Sequence, residues 1–273
     1  PGAINSDRIV KAWSLRISNR LPILCYHSLD DSGSVISISP DGFCRQMEYL
    51  SAKGWRSLTL AQMLDGYARG TWPTRSFLLT FDDGFVNFAE YAFPVLTACG
   101  FSATVFVASD WVGRSNDWPG QPRWVPRLPL MDWSALSRIA VAGIEIGGHS
   151  VSHSHLDALP VAESEREVCE CRRVIEERIG CPVRAFAYPY GEGARDLERV
   201  VAQCYDAGFG TRLGFATATS RRPAFERIDM FYLRDPRFFR ALGTGWLGSY
   251  LKVRRWLRFL RQSACRQSKE KTA

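Results

Sequence analysis

The chain has 273 residues, 46% of them hydrophobic and 23% charged, which suits one large globular domain or two small ones around a sizeable apolar core. Eight basic residues and one acid lie between Lys252 and Ala273, and this excess equals the whole formal net charge of +7. The basic charge therefore belongs to a C-terminal tail, and the near-neutral remainder argues against a nucleic-acid-binding protein.

Short apolar runs alternate with amphipathic stretches along most of the chain. The apolar runs predict strands at residues 21–26, 77–81, 103–107, 144–147, 183–188 and 209–212. The amphipathic stretches predict helices at 40–53, 85–99, 132–142, 161–179 and 193–207, each followed by a glycine suited to a left-handed C-cap, namely Gly54, Gly100, Gly143, Gly180 and Gly208. This alternation predicts a mainly parallel α/β sheet, either open or closed into a barrel.

Residues 111–130 interrupt the alternation with three tryptophans and four prolines, which indicates a long loop near the mouth of a site. Such aromatic residues stack on sugar rings in some proteins and pin a structural loop in others, and the sequence favours neither interpretation.

The C-terminal segment, residues 243–273, is predicted to be separate from a main domain at residues 1–242. Its apolar residues recur at helical spacing, with arginines largely on other faces: Trp246, Tyr250, Val253, Leu257 and Leu260. This pattern is typical of a basic amphipathic helix, which either contacts an anionic membrane surface or caps the domain with its arginines in solvent.

The eight cysteines lack zinc-ribbon or thioredoxin spacing. Several lie inside apolar or helical patterns, such as Cys25 and Cys99, which favours reduced, buried thiols over a disulfide framework. With no signal-like N-terminal segment and no bilayer-spanning stretch, we expect a cytoplasmic or membrane-peripheral protein, although the chain does not begin with Met.

Two adjacent carboxylates, Asp82 and Asp83, follow the apolar run at residues 77–81. An Asp-Asp-Gly sequence is often only a turn, but two like charges at the end of a buried strand are costly unless something uses them. A metal ion bound by one carboxylate, with its neighbour free to act as a base, would do so.

Three of the four histidines lie between residues 149 and 155. His149 and His153 are spaced i, i+4, so a helical turn would put both rings on one face, whereas His155 would point elsewhere. Two histidines and one carboxylate leave a coordination position open, which is the arrangement of a catalytic zinc site.

The segments TFDDG at 80–84 and HSxxHxxL at 149–156 resemble the first two motifs of the NodB-homology polysaccharide deacetylases, carbohydrate esterase family 4. The segment YPYG at 188–191 resembles the third motif, whose Pro-Tyr-Gly turn, here Pro189, Tyr190 and Gly191, forms one wall of the substrate groove. The resemblance covers residues 21–231 and implies a distorted (β/α) barrel.

The resemblance also implies a role for each matching residue. Asp83, His149 and His153 would bind a divalent metal, by default Zn²⁺ although other divalent ions suit such a site. Asp82 would be the general base for the attacking water, and the backbone N–H of Tyr190, with the metal, would stabilise the oxyanion.

The chain departs from the family pattern at two positions. Ala187 stands where many members have the arginine that orients the base, and Arg227 is our candidate replacement. No histidine follows His155 to serve as the general acid. His27 follows the first predicted strand, as in the branch that deacetylates exopolysaccharides such as poly-N-acetylglucosamine, and we predict that it supplies the proton.

We therefore predict a metal-dependent hydrolase that removes N-acetyl groups from an amino sugar in a polymer, an oligosaccharide or a lipid-linked glycan. One alternative is a lipid-linked sugar deformylase or deacetylase at the membrane face, which would suit the basic tail. Another is a catalytically silent carbohydrate-binding protein.

Overall fold

The fold is a closed barrel of seven parallel strands surrounded by helices, in a computed structural model that describes residues 17–191 and 195–270. The barrel strands, in chain order, are β1 (Ile23–Tyr26), β2 (Ser76–Phe81), β3 (Thr104–Val107), β4 (Glu145–Gly148), β5 (Ala185–Ala187), β6 (Ala207–Leu213) and β7 (Phe225–Asp229). Each strand pairs with its neighbour in the sequence, and β1 pairs with both β2 and β7, which closes the sheet. The predicted (β/α) barrel is confirmed.

Short strands extend the sheet or form small pairs outside it. Arg56–Ser57 adds in parallel to the start of β2, and the other two-residue strands are Ile17–Ser18 with Trp72–Pro73, Arg20–Leu21 with Ala216–Thr217, and Ser28–Leu29 with Ser37–Ile38.

Successive residues of the barrel strands belong to two different apolar clusters, as the two-residue period of a strand requires. Ile23, Leu78 and Phe106 belong to the cluster inside the barrel. Their neighbours Leu24, Leu79 and Val105 belong to the larger cluster between the barrel and its helices. The strands are therefore buried on both faces, which is why they read as continuous apolar runs.

The helices are α1 (Pro40–Ala52), α2 (Leu60–Arg69), α3 (Phe93–Cys99), α4 (Trp133–Val141), α5 (Val161–Ile179), α6 (Arg195–Cys204), α7 (Pro236–Phe239) and α8 (Gly245–Glu270). The predicted helix at 85–99 instead begins with a π-helical turn, Phe88–Ala92, before α3. Pro94 in the first turn of α3 has no N–H for an intrahelical bond, which explains the break. Residues 193 and 194 of another predicted helix lie outside the described residues.

The prediction of Gly208 as a helix C-cap was wrong, because Gly208 lies in β6. A Cβ atom there would lie 1.9 Å from the carbonyl oxygen of Pro223, so glycine is required by close backbone approach and not by a left-handed turn.

The helix α8 begins against the barrel core, where Leu247 and Leu251 are buried. A second face of the same helix carries exposed apolar side chains at Trp246, Val253, Trp256, Leu257 and Leu260. The boundary predicted at residue 243 stays a prediction. None of the described helices is both long enough and apolar enough to pass through a bilayer.

Candidate metal and catalytic site

The candidate residues meet at the carboxyl ends of the barrel strands, the end at which barrel enzymes place their active sites. His27 follows β1, Asp82 and Asp83 follow β2, His149 follows β4, and the YPYG segment follows β5. Arg227 is different, since it lies within β7 and is 2% exposed.

Asp83, His149 and His153 form a buried group of three potential metal ligands. The Asp83 Oδ1 atom lies 3.4 Å from His149 Nε2 and 3.1 Å from His153 Nε2. The one ligand atom of each residue lies within 4.8 Å of the other two. This donor set fits a divalent metal, with two nitrogen atoms and one oxygen atom converging on one point.

The far sides of the two imidazoles are also held. The His149 Nδ1 atom lies 2.7 Å from the carbonyl oxygen of Ala187, which can only accept a hydrogen bond. This contact favours a proton on Nδ1, so that Nε2 would be the coordinating atom once a metal replaces its proton. The His153 Nδ1 atom lies 3.1 Å from the Tyr190 hydroxyl, which orients the second ring.

Residues 149–155, here called the histidine loop, are not helical, contrary to the geometry expected from the i, i+4 spacing of His149 and His153. Ser150 and His153 have φ values of 65° and 59°, and the Ser150 hydroxyl accepts a hydrogen bond from the His153 N–H at 3.0 Å. Asp83 and Tyr190 also have positive φ values, 73° and 58°. Left-handed backbone is costly for these residue types, so this concentration of strain is itself a mark of a functional site.

Glu167 of α5 anchors the histidine loop, and sequence analysis missed it. Its carboxylate accepts hydrogen bonds from the N–H groups of Val151 and Ser152 at 2.9 and 2.8 Å, and from the Ser152 hydroxyl at 2.8 Å. Glu167 lies on the buried face of α5 with Val168 and Cys171. A carboxylate in that apolar stripe was a signal that could have identified it.

Burial and hydrogen bonding act in opposite directions on the metal-ligand group. Burial raises the pKa of Asp83, but hydrogen bonds from His149 and His153 outweigh it and hold the pKa far below its usual range. Burial lowers the pKa of His149, yet its hydrogen bond to Asp83 and the nearby carboxylate charges raise it overall. For His153 burial prevails over the nearby carboxylates and lowers the pKa below its usual value.

Both terminal nitrogens of the Arg227 guanidinium donate hydrogen bonds to Asp82, at 2.6 Å to Oδ1 and 2.7 Å to Oδ2. The Arg227 Nε–H donates to the carbonyl oxygen of Gly210 at 3.0 Å, which fixes the plane of the fork. Burial raises the pKa of Asp82, but the charge of Arg227, followed by those of His149 and His27, lowers it below its usual range. Asp82 is therefore an ionised carboxylate with Arg227 as its buried cation. The role of Arg227 as the replacement for the family arginine, where this chain has Ala187, stays a prediction.

His27 lies beside Asp82, with 3.7 Å between its Nε2 atom and Asp82 Oδ2, and its side chain is 24% exposed. The buried thiol of Cys25 donates to the same carboxylate oxygen, with 3.6 Å between Sγ and Oδ2. His27 is therefore at the same rim as the metal-ligand group and open to solvent, as its position after β1 predicts.

The loop at 111–130 braces the metal-ligand residues. The Trp118 ring stacks on His153 with centroids 3.8 Å apart, and Trp118 is 3% exposed, so it offers no open face to a sugar. The Trp111 indole N–H donates to the carbonyl oxygen of Ser152 at 3.0 Å. Of the three tryptophans only Trp124, 66% exposed, has the free surface that sugar stacking needs.

The YPYG turn lies against the same group. Tyr190 stacks on His155 with centroids 3.8 Å apart, so His155, expected to point elsewhere, lines the outside of this turn. The Gly191 N–H donates to the Pro189 carbonyl oxygen at 2.7 Å, which closes the turn.

Comparison with known proteins agrees with this geometry. A family model described as polysaccharide deacetylase matches residues 69–206, about half of the chain. The Bacillus subtilis protein YxkH, whose name places it among the polysaccharide deacetylases, is 24% identical over 211 residues, 77% of this chain and 71% of that protein. The poly-beta-1,6-N-acetyl-D-glucosamine N-deacetylase of Escherichia coli K12 is 23% identical over 236 residues, 74% of this chain but 35% of that enzyme. This chain thus corresponds to about a third of the E. coli enzyme.

Solved structures share the fold. IcaB from Ammonifex degensii superposes with a TM-score of 0.70 and 24% identity, over 84% of this chain and 98% of that one. The Streptococcus pyogenes deacetylase PplD in complex with acetate superposes with a TM-score of 0.68 and 21% identity, over 77% of this chain and 92% of that one.

The role of Glu167 can be tested by comparing Glu167→Ala with Glu163→Ala, a change at an exposed position of the same helix. Losing three hydrogen bonds to the histidine loop should lower the affinity for Zn²⁺ by about 10- to 100-fold, the usual effect of removing a residue that supports a ligand. Calorimetric titration of Zn²⁺ into the metal-free proteins measures this. Equal affinities in the two variants would show that the loop is held without Glu167.

The Arg227–Asp82 pair predicts a shifted pH dependence in Arg227→Met. The pKa of Asp82 is lower in the folded protein than in the unfolded chain. The ionised Asp82 therefore stabilises the fold at pH values above the pKa of the unfolded chain, and this stabilisation is lost as the pH falls. The variant should lose about 3–5 kcal/mol of unfolding free energy at neutral pH and less at acidic pH, because a buried carboxylate loses its partner. The acidic limb of the pH–rate profile should also move to higher pH. Urea unfolding and hydrolysis rates measure both effects.

Arg212→Met is the control for that change, since the Arg212 side chain is 48% exposed and lies at the end of the neighbouring β6. Its unfolding free energy and pH profile should stay close to those of the unchanged protein. An Arg227→Met protein that behaved like this control would contradict the assigned electrostatics.

Proposed function

Because the chain belongs to the polysaccharide deacetylase family, we propose that it is a metal-dependent hydrolase that removes N-acetyl groups from an amino-sugar glycan. The expectation of a deacetylase-type hydrolase is confirmed by the family match. The observation that carries the proposal is the division of labour between the two neighbouring carboxylates: Asp83 faces two imidazole nitrogens, whereas Asp82 is ionised and held by Arg227.

Asp83, His149 and His153 would hold the metal, which when bound polarises the amide carbonyl and acidifies water. Asp82 would take a proton from the water that attacks the acetyl carbon, and Arg227 keeps that carboxylate charged and fixed in plane. His27 would donate the proton to the departing amine nitrogen as the C–N bond breaks, which leaves acetate and a free amino group on the sugar.

The proposed substrate class is an N-acetylated exopolysaccharide. Its support is the similarity to enzymes named as deacetylases of poly-beta-1,6-N-acetyl-D-glucosamine, together with the early Tyr-His segment at residues 26 and 27. Trp124, exposed in the loop at 111–130, would suit stacking on a sugar ring. A lipid-linked N-acetylated or N-formylated sugar is the alternative substrate.

The free-energy cost of burying the Asp82–Arg227 ion pair argues against a catalytically silent carbohydrate-binding protein. Asp82 is 3% exposed and Arg227 is 2% exposed, and a protein that only bound sugar would gain nothing from a buried, ionised carboxylate next to a metal-ligand group.

The test is hydrolysis by the purified, Zn²⁺-loaded protein. Acetate release should be measured on β-1,6-linked and β-1,4-linked N-acetylglucosamine oligomers, and formate release on an N-formylated sugar. Asp82→Asn and His27→Ala should each abolish turnover while the bound zinc, measured by atomic emission, stays at one equivalent. Zinc bound without release from any substrate would favour the silent protein, and normal turnover in His27→Ala would refute its role as the acid.

We also propose that α8 makes peripheral contact with an anionic membrane on the cytoplasmic side, a compartment that the free cysteines would suit. The support is its exposed stripe of Trp246, Val253, Trp256, Leu257 and Leu260, which runs beside the exposed Lys252. Two other cations of this helix are engaged by the domain: Arg254 lies over the Tyr232 ring, and Arg258 donates to the Thr211 carbonyl oxygen.

This contact predicts co-sedimentation with vesicles of phosphatidylglycerol and phosphatidylcholine, and less with phosphatidylcholine alone. The double change Trp256→Ala and Leu260→Ala should lower the bound fraction several-fold because it removes two exposed apolar groups from the stripe. Val141→Ala, at an apolar residue that is 92% exposed on another helix, is the control. Equal binding by all three proteins would rule out the stripe as the contact.

A further inference from the structure

A second group of potential metal ligands lies next to the first. It consists of Cys25 at the end of β1, His27 two residues later, and Asp82 after β2. Their ligand atoms, Sγ, Nε2 and a carboxylate oxygen, lie within 4.8 Å of one another. Nothing in the proposed hydrolysis requires a thiol at this place, so Cys25 calls for a separate explanation.

We infer that Cys25, His27 and Asp82 form a second, inhibitory site for thiophilic divalent cations such as Cd²⁺ and excess Zn²⁺. Thiolate, imidazole and carboxylate are the three ligand types of protein zinc sites. A metal bound here would displace the thiol proton to solvent and be held by Sγ, Nε2 and Oδ2.

The distances suit a tetrahedral ion. With metal–sulfur and metal–oxygen bonds of about 2.3 and 2.0 Å, two ligand atoms of a tetrahedron lie roughly 3.5 Å apart. The observed separations are 3.6 Å from Cys25 Sγ to Asp82 Oδ2 and 3.7 Å from His27 Nε2 to the same oxygen. All three ligand atoms lie within 4.8 Å of one another, and the partly exposed His27 provides the side open to solvent.

The charges make this second site weaker than the first. Arg227 already donates to both oxygens of Asp82, so an incoming cation meets a guanidinium as well as its three ligands. Each carboxylate oxygen has a second lone pair, so Oδ2 of Asp82 can still bind a metal ion while it accepts from Arg227. The positive charge of Arg227 repels that ion and weakens its binding. Among the described residues no arginine or lysine pairs with Asp83, whose ion-pair partners are His149 and His153, so we expect that group to fill first.

Occupation of the second site would remove the base and the proton donor together. This inhibitory consequence rests on the proposed function of Asp82 and His27. The binding itself does not rest on that function, because it follows from the three ligand atoms alone.

The binding test starts from the zinc-loaded protein and adds Cd²⁺ as the probe, with no glycan present. Equilibrium dialysis and the ultraviolet thiolate-to-cadmium absorption should detect one more bound Cd²⁺ in the unchanged protein than in Cys25→Ser. Cys181→Ser, at an exposed thiol away from the site, is the control and should retain that ion. Comparing variants cancels Cd²⁺ bound at other thiols. If Cys25→Ser and the unchanged protein bind equally, the second site does not exist.

The inhibition test measures hydrolysis against rising Zn²⁺, with each protein referred to its own rate at one equivalent. The unchanged protein and Cys181→Ser should lose activity, and Cys25→Ser should need at least tenfold more Zn²⁺ for the same loss. Equal sensitivity of Cys25→Ser would contradict the inhibitory role. If no glycan is hydrolysed, the dialysis result still decides whether the second site exists, so failure of the proposed function is distinguishable from failure of this inference.

Discussion

The site depends on how two adjacent buried carboxylates are neutralised. Asp82 and Asp83 are 3% and 6% exposed, and two like charges at such a position would be expensive without separate partners. Arg227 forms an ion pair with Asp82, whereas the imidazole rings of His149 and His153 contact Asp83. This separation of partners gives neighbouring residues of the same type different surroundings, which fit the proposed roles of Asp83 as a ligand and Asp82 as a base.

Barrel closure supplies the partner that Asp82 needs. The strand β7 pairs with both β6 and β1, so the Arg227 side chain, inside the barrel, reaches the end of β2. The family match at residues 69–206 contains the candidate metal ligands and Asp82 but neither His27 nor Arg227. His27, which follows the first barrel strand, and Arg227, in the last one, therefore reach the site from outside the matched range.

Much of this arrangement could be predicted from the sequence, and the failures have physical causes. Apolar runs identified six of the seven strands because those strands are buried on both faces. The seventh, Phe225–Asp229, was missed as a strand because Arg227 puts a charge inside the barrel and breaks the apolar run. The i, i+4 spacing of His149 and His153 correctly suggested that their rings converge, but the loop does this with left-handed residues that spacing cannot reveal. Glu167 was missed because two of its three hydrogen-bond donors are backbone N–H groups, whose positions the side-chain sequence does not reveal.

Closure by the last strand also has a consequence for biosynthesis. The metal-ligand group is complete once residue 153 has been made, whereas Arg227 lies 74 residues further along the chain. Because domains are synthesised from the N-terminus, a nascent chain on the ribosome passes through a stage in which Asp82 has no guanidinium and β1 has no β7 beside it. Such a chain has made every candidate metal ligand but cannot yet close its barrel or pair Asp82 with Arg227. The order of synthesis thus places the candidate metal ligands before the residue that completes the surroundings of Asp82.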